Sequence, residues 1–212
     1  MTAIFHPDQH LLIEYAAGSL PIAKATMIAL HLEHCTHCRQ KVHQLEALGG
    51  QLLHDIKPEE QDSDLSSAWQ NTLSMIQSTP VASPVKRKQS LMQRLFPQGF
   101  EHQSWSGVGP VKNAKLNNAD PDMSNLSLLR IRAGAKIPVH HHHGEEWTLV
   151  LQGGFSDSYG NYHCGDLVVR EDHDHHAPVA AANEDCICLT YVENNLKFSG
   201  PMGPIYSFIS KL

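Results

Sequence analysis

Gly134-Ala-Lys-Ile-Pro138-Val-His140-His-His142-His-Gly144-Glu-Glu146-Trp-Thr-Leu-Val-Leu-Gln-Gly153 decides the fold of the larger part of this chain. His140 and His142 alternate, so on an extended strand both point to one face. Glu146 follows across a short turn containing Gly144, and the apolar run Trp147 to Leu151 reads as the returning strand, closed by Gly153. Two imidazoles and a carboxylate on one hairpin make a metal site with an open position, suited to zinc, iron, manganese or nickel. A fourth ligand belongs on a later strand. His176 is best placed by pattern, with His173 and His175 as alternatives, while His141 and His143 fall on the opposite parity. The competing reading, a histidine-rich surface run, does not account for the flanking glycines and the glutamate.

Outward from this hairpin, the texture from about residue 100 is short apolar runs, Leu126 to Ile131, Leu167 to Arg170 and Ile187 to Val192, separated by Gly, Asn, Asp and Pro clusters. Such spacing predicts an antiparallel sandwich or barrel. Upstream, 78–90 is a Pro/Ser/Lys linker, and the chain before it reads as helical. Leu11, Leu12 and Tyr15 mark a first helix that stops at Gly18. Pro21 opens a second, whose apolar face is Ile22, Ala25, Ile28, Ala29 and Leu32. A third begins near Thr36, read as its N-cap, with Val42, Leu45, Leu48, Leu52 and Ile56 as its stripe and Gly49-Gly50 as a point where it ends or bends. Leu65, Trp69, Leu73 and Ile76 recur at about four-residue spacing and predict one more amphipathic helix. The fold class is therefore α + β in two domains: a small zinc-bound helical bundle over 1–80, a linker over 81–99, and an antiparallel β-barrel or sandwich over 100–212.

The helical part carries its own ligand pattern, His31-x3-Cys35-x2-Cys38. Cys-x2-Cys brings two thiolates to one point and His31 lies one helical turn earlier, which suits a closed tetrahedral zinc site. The fourth ligand must come from elsewhere. His6, at the start of the first helix with Pro7 fixing the chain after it, is the leading candidate, with His34, His37 and His10 as rivals. A redox reading of the cysteine pair would need a preceding strand, and none is predicted.

Composition bounds the rest. The chain has 212 residues, 41% of them hydrophobic and 18% charged, so it can bury a core. A formal charge of −6 argues against a dedicated nucleic-acid binder, and Lys86-Arg87-Lys88, the basic cluster, sits in the linker. Five cysteines, an odd number with one Cys-x2-Cys pair, read as reduced and metal-binding rather than as a disulfide framework. No secretory signal and no apolar stretch long enough to span a membrane is visible, so the expected compartment is the cytoplasm.

The run Gly134 to Gly153 resembles the first cupin motif at every fixed position. Gly165-Asp166 and His176 fit the second, although His163-Cys164 stands where a proline is usual. His6-Pro7, Leu11-Leu12, Tyr15-Ala16-Ala17-Gly18 and His31-x3-Cys35-x2-Cys38-Arg39 resemble zinc-binding anti-sigma domains. The combination, with Phe155-Ser156-Asp157 and His176-x-Pro178-Val179-Ala180, resembles the ChrR family of anti-sigma factors. That resemblance implies a cytoplasmic regulator whose N-terminal helices, the Trp69 helix among them, bind an ECF-type sigma factor until singlet oxygen or a related oxidant ends the inhibition. It implies zinc on His6, His31, Cys35 and Cys38, and zinc or another divalent transition metal on His140, His142, Glu146 and His176. No direct contact with nucleic acid or membrane follows, and a homodimer is compatible. The alternative is an enzyme, a metal-dependent cupin dioxygenase or isomerase with an accessory zinc module. It would need acid or base groups beyond the ligands, and Tyr159 and Glu145 are the nearby ones in sequence. A metal-storage protein is disfavoured because the ligands are few and ordered. Cys164, Cys186 and Cys188 are candidates for redox activity, the last two sharing one strand face and reading better as core residues.

Overall fold

The computed structural model describes residues 3–57, 64–78, 89–107, 109–116, 121–141, 144–171, 175–193 and 197–198. Among the described residues, five α-helices come first: α1 (Gln9–Ala16), α2 (Ile22–His34), α3 (Thr36–His54), α4 (Asp64–Ser78) and the short α5 (Leu91–Leu95). α1 starts where the Asp8 carboxylate accepts the Leu11 N–H at 2.8 Å, an N-cap that satisfies an otherwise orphaned donor. α3 starts one residue earlier than the sequence suggests. Its cap is Cys35, whose sulfur accepts the Cys38 N–H, and Thr36 is already the first helical residue. α3 also runs unbroken through Gly49 and Gly50 to His54. The two glycines cost about 1 kcal/mol each relative to alanine, which is too little to end a helix anchored at its other end. α5 lies within the stretch read as linker. It is held by a Ser90–Gln93 capping box and by the Glu33 carboxylate of α2, which accepts the Leu91 and Met92 N–H groups.

Ten strands follow among the described residues, paired antiparallel: β1 (Val111–Lys115), β2 (Leu126–Ile131), β3 (His140–His141), β4 (Glu146–Gln152), β5 (Gly154–Ser156), β6 (Asn161–His163), β7 (Leu167–Arg170), β8 (Val179–Ala180), β9 (Cys186–Val192) and β10 (Lys197–Phe198). They form a five-stranded sheet in the order β1-β2-β9-β4-β7, a three-stranded sheet β6-β5-β8, and the pair β10-β3. All four strand runs expected from the sequence are present, in the antiparallel cupin-type arrangement expected of them.

The large sheet is buried on both faces. One face meets the small sheet through Ile131, Val150, Phe155, Tyr162, Val168, Cys186 and Cys188. The other is continuous with the helical core, so that Leu12, Met27, Ile28 and Leu30 share one apolar cluster with Leu128, Trp147, Leu149, Ile187 and Leu189. This is why β9 reads Cys-Ile-Cys-Leu-Thr-Tyr with every residue buried rather than alternating. Fully buried Met27, Ile28 and Leu30 of α2 contribute about 5–9 kcal/mol of gross hydrophobic stabilisation together. Lys24 of α2 adds a polar clasp: its ammonium lies 2.6 Å from the Glu145 carboxylate and over the Trp147 and Tyr191 rings at 5.3 and 5.4 Å.

At the β4–β5 corner, Gly153 has φ +66°, and a Cβ there would stand 2.5 Å from the Asp185 carbonyl oxygen. Gly153→Ala is therefore expected to destabilise by about 3 kcal/mol, from the left-handed backbone plus a clash with main chain. Calorimetry should show Tm lower by about 6–12 °C in a chain of this size. An unchanged Tm would show that the corner can relax.

Candidate metal centres

The four residues expected to bind the first metal converge. Among the described residues, one donor atom from each of His6, His31, Cys35 and Cys38 lies within 4.8 Å of the others. His6 Nδ1 stands 3.4 Å from Cys35 Sγ and 3.5 Å from Cys38 Sγ. Ligands at zinc bond lengths in a tetrahedron lie about 3.3–3.8 Å apart, so the spacing fits. His31 lies in the last turn of α2, Cys35 caps α3 and Cys38 lies in its first turn, and His6 is delivered by the irregular segment ahead of α1. The rivals stay outside the group. His10 pairs with Glu14 at 3.7 Å, His34 packs against Gly165, and His37 meets the His6 ring at a centroid distance of 5.6 Å.

The protonation pattern fits a cation as well. The His31 Nδ1–H donates to the Gly165 carbonyl at 2.7 Å, since a carbonyl can only accept. That fixes the tautomer and leaves Nε2, buried and without a hydrogen-bond partner, as the donor atom aimed at the cluster. Burial lowers the pKa of His31, outweighing the Gly165 carbonyl, and burial followed by the His37 charge lowers that of His6. Both rings are thus held neutral, as ligands must be. Burial and the adjacent Cys35 push the Cys38 thiol well up, an effect that a bound cation reverses by stabilising the thiolate. The four side chains thus form a cluster whose spacing and donor set suit a metal ion.

The second group is seen in part. Glu146 opens β4, and His176 precedes β8; both are buried, and His176 Nε2 stands 3.5 Å from Glu146 Oε2. His140 lies in β3 opposite Phe198. Its side chain, and His142, His143 and His173, lie outside the described residues. His175 is exposed.

Behind His176 lies a network to which the sequence reading assigned no role. Asp157, in the turn after β5, has a fully buried side chain that faces His176 Nδ1 at 3.2 Å. It also accepts the N–H groups of Tyr159 and Gly160 and the Tyr162 hydroxyl, and pairs with Arg170 at 3.3 Å. Arg170 donates in turn to the Tyr162 hydroxyl. Burial works against a charge on His176, but Glu146 and Asp157 outweigh it and raise its pKa. The pocket is thus built to hold positive charge, and Asp157 turns the His176 ring so that Nε2 faces Glu146. Asp157→Asn keeps the shape and removes that charge. It is expected to weaken metal binding at the cupin site about 10–100-fold, measurable by chelator competition. Undiminished affinity would mean that His176 is not a ligand oriented in this way.

The other candidates have structural work. Glu145 accepts the Trp147 Nε1–H and the Lys24 ammonium, and Tyr159 stacks on the Arg170 guanidinium at 4.3 Å. Cys186 and Cys188 are buried core residues with sulfurs 3.5 Å apart. The half-buried Cys164 thiol faces the Leu151 carbonyl. His163, at the place of the usual proline, donates its N–H to Asp166.

Residues 101–194 match the family model described as the ChrR cupin-like domain. The whole chain aligns with the anti-sigma-E factor ChrR of Cereibacter sphaeroides, at 32% identity over 215 residues, covering 100% of this chain and 97% of the relative. The chain belongs to the ChrR family of anti-sigma factors. Its fold agrees: a chain of the crystal structure of Rhodobacter sphaeroides SigE in complex with the anti-sigma ChrR superposes with a TM-score of 0.75 at 30% identity, over 91% of this chain and 100% of that one. Membership makes the protein a regulator rather than an enzyme, and the cupin dioxygenase or isomerase alternative falls away. Among the described residues, no helix is long and apolar enough to cross a membrane.

Proposed function

We propose that this protein holds an ECF-type sigma factor inactive through its N-terminal helices, works in the cytoplasm, and lets go when its cupin domain registers an oxidant such as singlet oxygen. Residues 1–80 are the inhibitory module, 81–99 the connection and 100–212 the sensor. Zinc on His6, His31, Cys35 and Cys38 ties the N-terminal segment, α2 and α3 into one body. Zinc or another divalent transition metal on His140, His142, Glu146 and His176 forms the sensing centre, where three imidazoles and one carboxylate leave a coordination position open.

The observation that carries the inhibitory role is the surface of α3 and α4. The apolar stripe of α3 is buried at Val42 but open beyond it, where Leu48, Leu52, Leu53 and Ile56 are exposed. α4 likewise presents Trp69, 62% exposed, with Met75 and Ile76. Large apolar side chains clustered in this way mark an interaction surface. A sigma factor is the partner that family membership supplies, and the cited relative in complex with SigE supports that choice. The test is transcription in vitro with core RNA polymerase and the ECF sigma factors of the same organism. One of them should be silenced at equimolar amounts of this protein, and Leu52→Asp with Ile56→Asp should restore the transcript. Undiminished transcription with every such sigma factor would contradict the proposal.

A further inference from the structure

The N-terminal metal site is not completed by the helices alone. His6, its one exposed ligand, sits on an irregular segment ahead of α1. That segment is pinned by the β6–β7 turn of the cupin domain. The Asp166 carboxylate, 0% exposed, accepts the N–H groups of Ile4 at 2.6 Å and Phe5 at 3.0 Å, and the Leu167 N–H donates to the Phe5 carbonyl at 3.2 Å. The same turn supplies the Gly165 carbonyl that fixes the His31 tautomer. The fit is close, since a Cβ on Gly165, at φ +94°, would stand 2.7 Å from His34 Cβ. Two of the four ligands are therefore oriented by cupin residues, while Cys35 and Cys38 are set by the first turn of α3.

The turn is in turn tied to the cupin centre. Its Gly165 N–H donates to the Val150 carbonyl at 2.8 Å and the Val150 N–H donates to the Asp166 carbonyl at 3.0 Å. Val150 is on β4, the strand that begins with Glu146.

We infer that the cupin turn 163–166 is part of the apparatus that holds the N-terminal metal, with Asp166 as the positioning residue, so that metal affinity in the inhibitory module depends on the integrity of this turn. The inference builds on the N-terminal metal site proposed above. It differs from a merely structural contact in its specificity: the Lys24–Glu145 bridge also joins the two parts of the chain but touches no ligand.

The full-length protein loaded with Co2+ tests it. Thiolate-to-cobalt absorption reports the N-terminal site alone, because the proposed cupin ligands include no cysteine. In competition with a chelator, Asp166→Asn and Gly165→Ala should each weaken that site about 10–100-fold, while Lys24→Met should leave it within about twofold. Asp166→Asn with native secondary structure and native affinity would overturn the inference. A second measurement needs no variant. Coupling between sites is reciprocal, so filling the N-terminal site of the wild-type protein should slow hydrogen exchange at the Ile4, Phe5 and His163 amides at least about tenfold, and unchanged exchange would also overturn it. Failure of the underlying site would look different: the wild-type chain would show no thiolate absorption at all.

Discussion

Cys38→Ser is expected to abolish high-affinity metal binding at the proposed N-terminal site and with it the capture of the sigma factor. Cys38 is buried, its sulfur stands 3.5 Å from His6 Nδ1, and it lies in the turn whose cap is the Cys35 sulfur. A hydroxyl does not replace a thiolate on zinc, so affinity should fall on the order of a thousandfold or more, and with it most of the folding free energy that a small structural zinc site supplies, about 10 kcal/mol in isolated modules. The expected consequences are release of the N-terminal segment, fraying of the α2–α3 corner and loss of the α3–α4 docking surface. Metal analysis and a binding assay against the sigma factor check this together, with Cys164→Ser as the control that leaves both unchanged. Full sigma affinity in Cys38→Ser would sink the structural-metal account.

Glu146→Ala should do the reverse. The side chain is buried 3.5 Å from His176 Nε2, at the start of a strand whose pairing with β7 and β9 is main-chain. Removing it should weaken the cupin metal by at least about a hundredfold while leaving the Lys24–Glu145–Trp147 contacts intact. Sigma binding is expected to stay within about twofold of wild type, because a metal lost from the cupin centre still leaves Gly165 and Asp166 in their turn. The response to oxidant should be lost: the complex persists under singlet oxygen that dissociates the wild type. A variant that cannot bind sigma at all would refute the division of work between the two metal centres.

What the sequence made legible follows from what each residue type can do. Thiolates and imidazoles at ligand spacing have few uses, so His31, Cys35 and Cys38 were readable, and His6 stood ahead of its rivals because Pro7 fixes the chain beside it. The four longest apolar runs of the sheet were readable from local texture. Periodicity reports which face of an element is apolar but not what covers it. Hence nothing in β9 told that the helices pack on the sheet, and nothing in the α3 stripe told that Val42 is buried while Leu48 and Leu52 are not. Capping by a cysteine sulfur was missed because Thr36 is the commoner kind of cap. Asp157 and Asp166 were quoted within motifs, but their roles depend on partners far along the chain, Ile4 and Phe5 in the case of Asp166, more than 160 residues away. Short motifs carry no trace of such pairings.

In the proposed scheme a metal-supported helical module captures a sigma factor and a cupin metal centre governs its release. The first experiment is to purify the tagged protein from its native cells under reducing conditions and to quantify protein partners and metals in the same eluate. The expected eluate holds one ECF-type sigma factor per chain, one zinc bound through thiolates and a second metal that Glu146→Ala removes. Metal without any sigma factor, or a sigma factor retained in full by metal-free protein, would contradict it.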